Sequence, residues 1–226
     1  MSLIGLSLVG AATWGVTHSR IFELRSLSVT GNLRLSSADV AALGGLDSRT
    51  NVLWLSTGAL ERRLEADPWV RDARISRTLP SFISIAIVER TPAAILAGSR
   101  ILVSSDGIML GQADDTTRLP VIGVEAQPKG GGGGRLPSEL PALRVVRSLP
   151  PSLASSVVRI GADDSGSLIL KLRDGTRVVL GDADRVEAKA AALEALLRWI
   201  DRTGVRVAYI DVTVPTAPAL LPAHGS

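Results

Sequence analysis

The chain has 226 residues, enough for one large domain or two small ones. Its hydrophobic fraction of 46% permits real cores, and the net charge is only +3. The absence of cysteine excludes disulfides, thiol catalysis and thiolate metal sites. Basic residues are scattered apart from a mild arginine cluster, which favours solvated faces of a helix and a hairpin over a nucleic-acid surface. That cluster comprises Arg62, Arg63, Arg71, Arg74 and Arg77.

An apolar segment opens the chain. Residues 2–19 carry no charged side chain. At about 1.5 Å per residue, a helix of this length spans roughly 26 Å, which is adequate for the hydrocarbon core of a bilayer. Trp14 and His18 stand near its end, where such side chains suit a membrane interface. Residues 1–19 are therefore predicted to form a transmembrane helix.

Two other interpretations of this segment remain. A secretory signal peptide normally begins with a basic stretch and ends at a small-x-small cleavage site, and neither is clear in residues 1–19. A buried core helix is disfavoured by the all-round apolarity and the terminal position of the segment. A retained anchor is the favoured interpretation.

The next part of the chain predicts a strand and a short helix. Phe22 to Thr30 is typical of a strand, and Gly31-Asn32 of a turn. Ser36 or Ser37 can cap a helix that runs to Leu43.

A second helix and a β-hairpin follow. Thr57 to Ala66 has leucines at 60 and 64 among charged residues, which predicts an amphipathic helix that Asp67-Pro68 stops. Residues 70–78 and 83–88 each alternate with period 2 around Leu79-Pro80-Ser81, which indicates a hairpin with one buried face. Trp69 is predicted to be buried where the helix meets the hairpin.

This β-α-α-β-β order over about 70 residues resembles a POTRA domain. It is similar in particular to the POTRA domain of the FtsQ/DivIB family of bacterial cell-division proteins. The matching pieces are Val29-Thr30-Gly31-Asn32, Gly45-Leu46, Asn51-Val52-Leu53, Pro68-Trp69-Val70, Ala73-Arg74-Ile75-Ser76-Arg77, Leu79-Pro80 and Glu89-Arg90-Thr91-Pro92. The resemblance assigns residues 20–92 to the POTRA domain.

Short strands dominate the stretch after Pro92. Apolar runs at 95–97, 101–103 and 108–110 predict strands, the last two joined by Asp106-Gly107 as a hairpin turn, and Leu119 to Val124 predicts another. The glycine-rich stretch 128–135 lacks the Lys-Ser/Thr of a phosphate-binding loop and is interpreted as a flexible surface loop.

Helices and strands alternate in the last third of the chain. Residues 140–149 predict a helix begun at Ser138, and Asp174-Gly175 joins two apolar runs as a second hairpin. Asp184 and Glu187 resemble a capping box ahead of a helix that Gly204 ends. The final strand is predicted over Val205 to Val214, and residues 216–226 as a flexible tail.

This half also resembles the FtsQ/DivIB family, in the β-domain that follows its POTRA domain, here residues 93–215. The resemblance implies an α+β protein with a transmembrane helix, a POTRA domain and a mixed α/β C-terminal β-domain. The matching residues are Leu102-Val103, Gly107, Leu119-Pro120, Leu172-Arg173-Asp174-Gly175-Thr176, Leu180-Gly181, Lys189 and Ile210-Asp211-Val212.

The family resemblance implies a function. It implies a divisome scaffold that binds FtsB-like and FtsL-like proteins and helps control the septal peptidoglycan synthase, without binding nucleic acid. Partner binding is expected to occur by strand addition at an exposed sheet edge. The residues expected to carry it lie in the last strand: Tyr209, Ile210, Asp211, Val212, Thr213 and Val214.

Membrane orientation is a point of conflict. Arg20, Arg25 and Arg34 follow the apolar segment and nothing basic precedes it, so the positive-inside rule would keep residues 20–226 in the cytoplasm. The resemblance implies the reverse, a single-pass protein of the bacterial cell membrane with its bulk outside, at the division septum. We therefore follow the resemblance and expect residues 20–226 to lie outside the membrane.

Catalytic chemistry is not expected. The two histidines, His18 and His224, lie at opposite ends of the chain, and the acidic pairs Asp114-Asp115 and Asp163-Asp164 are typical of turns. We therefore expect no catalytic, cofactor or metal site. A POTRA-bearing transport or assembly factor is the alternative function, although it would need further POTRA repeats or a membrane barrel. A secreted enzyme is the third candidate.

Overall fold

A computed structural model describes residues 10, 13–123, 133–137 and 140–223. The chain divides into two compact units, Met1–Arg90 and Thr91–Ser226. The sequence placed this boundary after residue 92. Most of the predicted transmembrane segment 1–19, and most of the glycine-rich loop 128–135, lie outside the described residues. Within the described ranges, no helix is both long and apolar enough to cross a bilayer.

Between residues 20 and 90, the first unit combines a three-stranded sheet with two α-helices. In the sheet, the third strand is central, parallel to the first and antiparallel to the second. The predicted β-α-α-β-β order is confirmed, but the first strand begins four residues later than predicted because Arg20–Phe22 forms a 3-10 turn. The elements are β1 (Ser26–Thr30), α1 (Ser37–Gly44), α2 (Thr57–Glu65), β2 (Val70–Thr78) and β3 (Phe82–Glu89).

The core of this unit lies on one face of β3. Ile83, Ile85 and Ile87 are all buried there, as the alternation predicts. In β2 the alternation changes parity, because a bulge between Val70 and Asp72 brings both Val70 and Ala73 to the core side.

Local sequence signals position the first helix. The Ser36 hydroxyl accepts a hydrogen bond from the Asp39 N–H (3.1 Å), and the Asp39 carboxylate accepts one from the Ser36 N–H (2.9 Å). These two bonds form a capping box, which confirms the predicted helix start. Gly31 has φ +79°, and a Cβ there would fall on the carbonyl oxygen of Ile87. Only glycine therefore fits this turn.

The prediction that Trp69 is a core residue is wrong. Its side chain is half-buried at the start of β2, and the Arg34 guanidinium lies 4.0 Å from the ring centroid. Glu89 fixes the loop that carries Arg34, because its carboxylate accepts hydrogen bonds from three successive backbone N–H groups, at residues 33–35 (2.8–3.1 Å). Trp69 is thus the platform of a cation–π contact at the domain surface.

In its described residues, the second unit consists of a nine-stranded sheet and three helices. The predicted hairpins around Asp106-Gly107 and Asp174-Gly175 are both present. The strand at 157–162 and the short helix before it had no sequence prediction. The elements are β4 (Pro92–Leu96), β5 (Ile101–Ser104), β6 (Met109–Gln112), β7 (Val121–Ile122), α3 (Pro141–Ser148), α4 (Pro151–Ala154), β8 (Val157–Ala162), β9 (Leu168–Leu172), β10 (Arg177–Gly181), α5 (Val186–Thr203), β11 (Val207–Asp211) and β12 (Ala219–Pro222).

The strand order determines which backbone groups are free. It runs β12-β11-β10-β9-β8-β7-β4-β5-β6, so β12 and β6 are the two edges. β11 lies parallel to β10 and antiparallel to β12. The stretch predicted to be a flexible tail from residue 216 therefore contains a strand of the sheet.

Helix α5 begins differently from the prediction. The proposed capping box is wrong, because Arg185 is the N-cap, in a left-handed conformation, and no side chain caps the helix. The Glu187 carboxylate instead accepts a hydrogen bond from the Ser148 hydroxyl at the end of α3 (2.6 Å). The predicted end is confirmed at Gly204, and the Glu194–Arg198 ion pair forms at 3.4 Å.

A buried lysine joins α5 to the end of β10. Lys189 is 1% exposed, and its ammonium donates to the backbone carbonyl (3.0 Å) and the carboxylate (2.5 Å) of Asp182. The hydrogen bond from Lys189 is the main cause that lowers the pKa of Asp182 below its ordinary value. The carboxylate itself is largely exposed.

Acid is expected to weaken this contact. Because the pKa of Asp182 is lower in the folded than in the unfolded chain, its contribution to stability is present above the ordinary aspartate pKa and is lost as the pH falls through the folded value. The melting temperature of Asp182→Asn should therefore fall less than that of the unsubstituted protein between pH 6 and pH 3. An equal fall in the melting temperature of the two proteins between pH 6 and pH 3 would contradict this assignment.

Candidate functional site

The six predicted partner-binding residues do not form a sheet edge. Ile210 and Val212 are buried in the core, and Tyr209 and Asp211 are half-buried. Thr213 and Val214 are exposed, but they lie beyond the end of β11. The Thr213 N–H donates to the Asp211 carboxylate (2.8 Å) rather than to a neighbouring strand.

Both sides of β11 are already paired. Arg177 to Val179 of β10 align with Tyr209 to Asp211 on one side, and the Val212 N–H extends this pairing to the Val179 carbonyl (3.0 Å). On the other side, Ala219 to Leu221 of β12 align with the same three residues. A partner strand added directly to β11 would have to displace β12.

β12 is the edge that offers free backbone groups. The Ala223 N–H donates to the carbonyl of Arg206, which directly precedes β11 (2.9 Å). Backbone groups point to alternate sides along a strand, so Leu221 and Ala219 also direct theirs towards β11. Leu220 and Pro222 consequently direct theirs outward. Proline has no N–H, which leaves the N–H and carbonyl of Leu220 and the carbonyl of Pro222 for a further strand.

The side chains of β12 divide between core and solvent. Leu220 packs against the core of the second unit, whereas Leu221 is 53% exposed. Leu220 therefore holds the strand in place while its backbone faces outward, and Leu221 adds apolar surface on the other face of the sheet. Four residues with a terminal proline form a short edge, which limits unspecific strand pairing.

The opposite edge is covered where β6 begins. At β6, the Met109 N–H donates to the Gly134 carbonyl (2.8 Å), and the Gly133 N–H donates to the Met109 carbonyl (2.7 Å). A further bridge joins Ile108 to Arg135. In the part of the sheet that the structure describes, β12 is thus the less protected edge.

Sequence reasoning missed β12 because the three residues between Pro218 and Pro222 carry too little periodicity to predict a strand. The one available signal was Pro222 itself. Proline within a sheet is confined to edges, strand starts and bulges, so an apolar pair bracketed by Pro218 and Pro222 was compatible with an edge strand.

The acidic pairs behave as turn formers. The Thr117 and Thr116 hydroxyls donate to Asp114 (2.7 and 2.8 Å) and are the main cause that lowers its pKa. The Ser165 hydroxyl does the same for Asp163 (2.6 Å). Carboxylates stabilised in the ionised form are poorly suited to general acid catalysis at neutral pH.

In the described ranges, no three His, Asp or Glu side chains cluster as metal ligands. His18 is exposed and stacks on Trp14 (centroids 4.6 Å apart). His224 lies outside the described residues. The expectation of no catalytic, cofactor or metal site stays a prediction.

Family comparisons cover both units. Residues 22–90 match the family model of the FtsQ-type POTRA domain, and residues 94–213 match that of the cell division protein FtsQ/DivIB C-terminal domain. A cell division protein FtsQ of Streptomyces collinus is 31% identical over 94% of this chain and 83% of its own length. The FtsQ of Mycobacterium leprae (strain Br4923) is 33% identical over 88% of this chain, which spans only 55% of that relative.

One solved structure is a weaker likeness. It is the major extracytoplasmic domain of the trans isomer of the cell division protein DivIB from Geobacillus stearothermophilus, at 15% identity and a TM-score of 0.35 over 50% of this chain and 96% of that one. A score this low carries no argument about the fold. The two family matches and the relatives are sufficient by themselves: the chain belongs to the FtsQ/DivIB family of bacterial cell-division proteins.

Proposed function

We propose that this protein is a non-enzymatic scaffold of the division machinery, and that its second unit binds an FtsB-like protein by strand addition at β12. The observation that carries the proposal is the outward backbone of Leu220 and Pro222 at the less protected edge of the nine-stranded sheet. Strand addition supplies affinity through main-chain hydrogen bonds and selectivity through alternating side chains.

The predicted residues keep a supporting role in this proposal. Tyr209 and Asp211 hold β12 in register, while the exposed Thr213 and Val214 lie on the connection that leads into it. Ile210 and Val212 act only through the core. The partner strand therefore contacts β12 directly and reaches β11 only through side chains.

The sequence and the family support a membrane setting for the proposed function. We place residues 1–19 in the cell membrane as a single span and the remainder on the extracytoplasmic side at the septum. There an FtsL-like protein and the septal cell-wall synthase would join the complex. The arginines at 20 and 25 oppose this orientation under the positive-inside rule, and the proposal gives more weight to the family.

Leu220 provides the sharpest test. Leu220→Pro removes the outward N–H that a partner strand would use, whereas Leu220→Ala keeps that N–H and shortens the side chain. Binding of the extracytoplasmic segment of the FtsB-like protein from the same organism should be lost with proline and largely kept with alanine. Equal binding by both variants, with circular dichroism showing both folded, would overturn strand addition at β12.

Cross-linking locates the contact independently of folding effects at Leu220. Because the chain has no cysteine, Leu221→Cys introduces a unique thiol beside the proposed interface. It should form disulfides with alternate positions of a cysteine-scanned partner strand. Val158→Cys is the matched control, since Val158 is also exposed but lies four strands away, at about 19 Å. Equal cross-linking at both positions would contradict the assigned edge.

A further inference from the structure

We propose that one end of the first unit rests in the headgroup region of the bilayer, with Trp54 as a second membrane contact beside the anchor. The contact surface, here called the tryptophan end, comprises Trp14, Val16, Ile21, Trp54 and Leu79. The proposal rests on the membrane anchor proposed above for residues 1–19, and it adds a lipid-binding surface on the folded domain.

The aromatic side chains join the anchor to the domain. His18 stacks on Trp14 with ring centroids 4.6 Å apart, and its ring lies 6.1 Å from that of Trp54. Trp14 belongs to the apolar segment, whereas Trp54 comes from the loop before α2. If the apolar segment enters the bilayer, Trp54 lies at the depth of the end of that segment.

Hydrogen bonds to backbone carbonyls hold this arrangement. The Asn51 side-chain amide donates to the Thr17 carbonyl (2.8 Å), and the Val52 N–H donates to the Phe22 carbonyl (2.8 Å). The Arg77 guanidinium donates to the carbonyls of Leu53 (2.7 Å) and Leu55 (2.9 Å), on either side of Trp54. Trp54 is therefore presented by a fixed loop.

The hairpin turn lies at the same end. The Arg25 N–H donates to the Ser81 carbonyl (3.0 Å), which places the turn containing Leu79 beside the start of β1. Leu79 is half exposed. The turn of the hairpin therefore adds apolar surface next to the segment that leads from the anchor.

Exposed apolar side chains concentrate at this end. Trp14 is 67% and Trp54 63% exposed, and Val16, Ile21 and Leu79 are also exposed. The other two large apolar side chains exposed in the described part of this unit lie at the opposite end of the sheet, since Leu33 binds Glu89 through its N–H and Val88 precedes Glu89. A one-sided apolar surface of this kind marks an interaction site.

The chemistry of the tryptophan end fits a bilayer surface. Tryptophan has an apolar body and a polar N–H, which is why it is enriched at membrane interfaces. The exposed side chains of Arg20 and Arg25 follow the apolar segment directly, where they can pair with lipid phosphates. Apolar side chains beside cations match the layered chemistry of the headgroup region.

Single-tryptophan variants can measure the depth of each ring. The chain has tryptophan only at positions 14, 54, 69 and 199, so three Trp→Phe changes leave one reporter. The full chain would be reconstituted in vesicles of phosphatidylethanolamine and phosphatidylglycerol, with and without bromine on the acyl chains near the headgroup. Trp69 is the matched control, because it lies eight residues from Arg77 along β2, about 26 Å towards the opposite end.

The expected result is bromine quenching and blue-shifted emission for Trp14 and Trp54, with neither for Trp69. Quenching of Trp14 together with water-like emission from Trp54 would overturn the second contact and leave the anchor intact. Quenching of neither ring would overturn the anchor and this proposal together. Circular dichroism of each variant confirms that the rings report on the folded protein.

Discussion

Ile85→Ala is expected to destabilise the first unit by about 2–5 kcal/mol, the usual cost of deleting a buried aliphatic side chain. Ile85 is fully buried, and its strand β3 pairs with β1 on one side and β2 on the other. A cavity there weakens the contacts of the whole sheet with the helices. Hydrogen exchange of peptides from β3, followed by mass spectrometry, measures the opening free energy within the intact chain.

Val88→Ala is the control for this prediction. Val88 lies in the same strand, but its side chain is exposed on the opposite face, so its loss should change the opening free energy by at most about 0.5 kcal/mol. Equal effects of the two substitutions would mean that burial on the Ile85 face does not stabilise the unit.

Lys189→Ala is expected to destabilise the second unit by about 2–5 kcal/mol, because it removes the buried side chain beyond Cβ and leaves a cavity between α5 and β10. Lys189→Met keeps the length of the side chain and should cost about 1 kcal/mol or less. The Asp182 carboxylate freed by either change is largely exposed and can be solvated by water. Urea unfolding of the three proteins compares these costs.

The comparison separates the volume of the lysine stem from its charge. If methionine is as harmful as alanine, the hydrogen bonds of the ammonium, and not its stem, stabilise this position. The unfolding free energy of Lys189→Arg offers a further check, because the bulkier guanidinium would have to displace atoms at the end of β10.

Most elements of both units could be predicted from local chemistry. Strict alternation in 83–88 predicts β3 and its buried face, and Asp-Gly pairs predict two hairpins. Ser36 predicts the start of α1 because its hydroxyl and Asp39 satisfy each other's backbone groups. These signals succeed because each depends only on residues close together in the sequence.

The predictions were wrong where contacts with residues distant in the sequence determine the position of a side chain. Trp69 looked like a core residue between a helix and a strand, but Arg34 and Glu89, far apart in sequence, make it the base of a surface contact. Glu187 looked like half of a capping box, but Ser148 on another helix binds it instead.

The predicted position of the sheet edge was wrong for the same reason, while partner binding by these residues stays a prediction. Tyr209 to Asp211 belong to the last strand that the sequence predicts, and the return of residues 219–222 pairs with their outer side. Whether a strand is an edge depends on the whole sheet, so its own residues cannot reveal it.

The position of β12 in the chain has a consequence for the timing of assembly. β12 follows every other described strand of its sheet in sequence, so it is synthesised after them. Until it arrives, β11 carries the open edge, with different side chains and a different register. A polypeptide that has not yet been synthesised to residue 222 therefore cannot display the complete docking strand proposed here, and a product truncated before residue 219 could never do so, however well the rest of it folded.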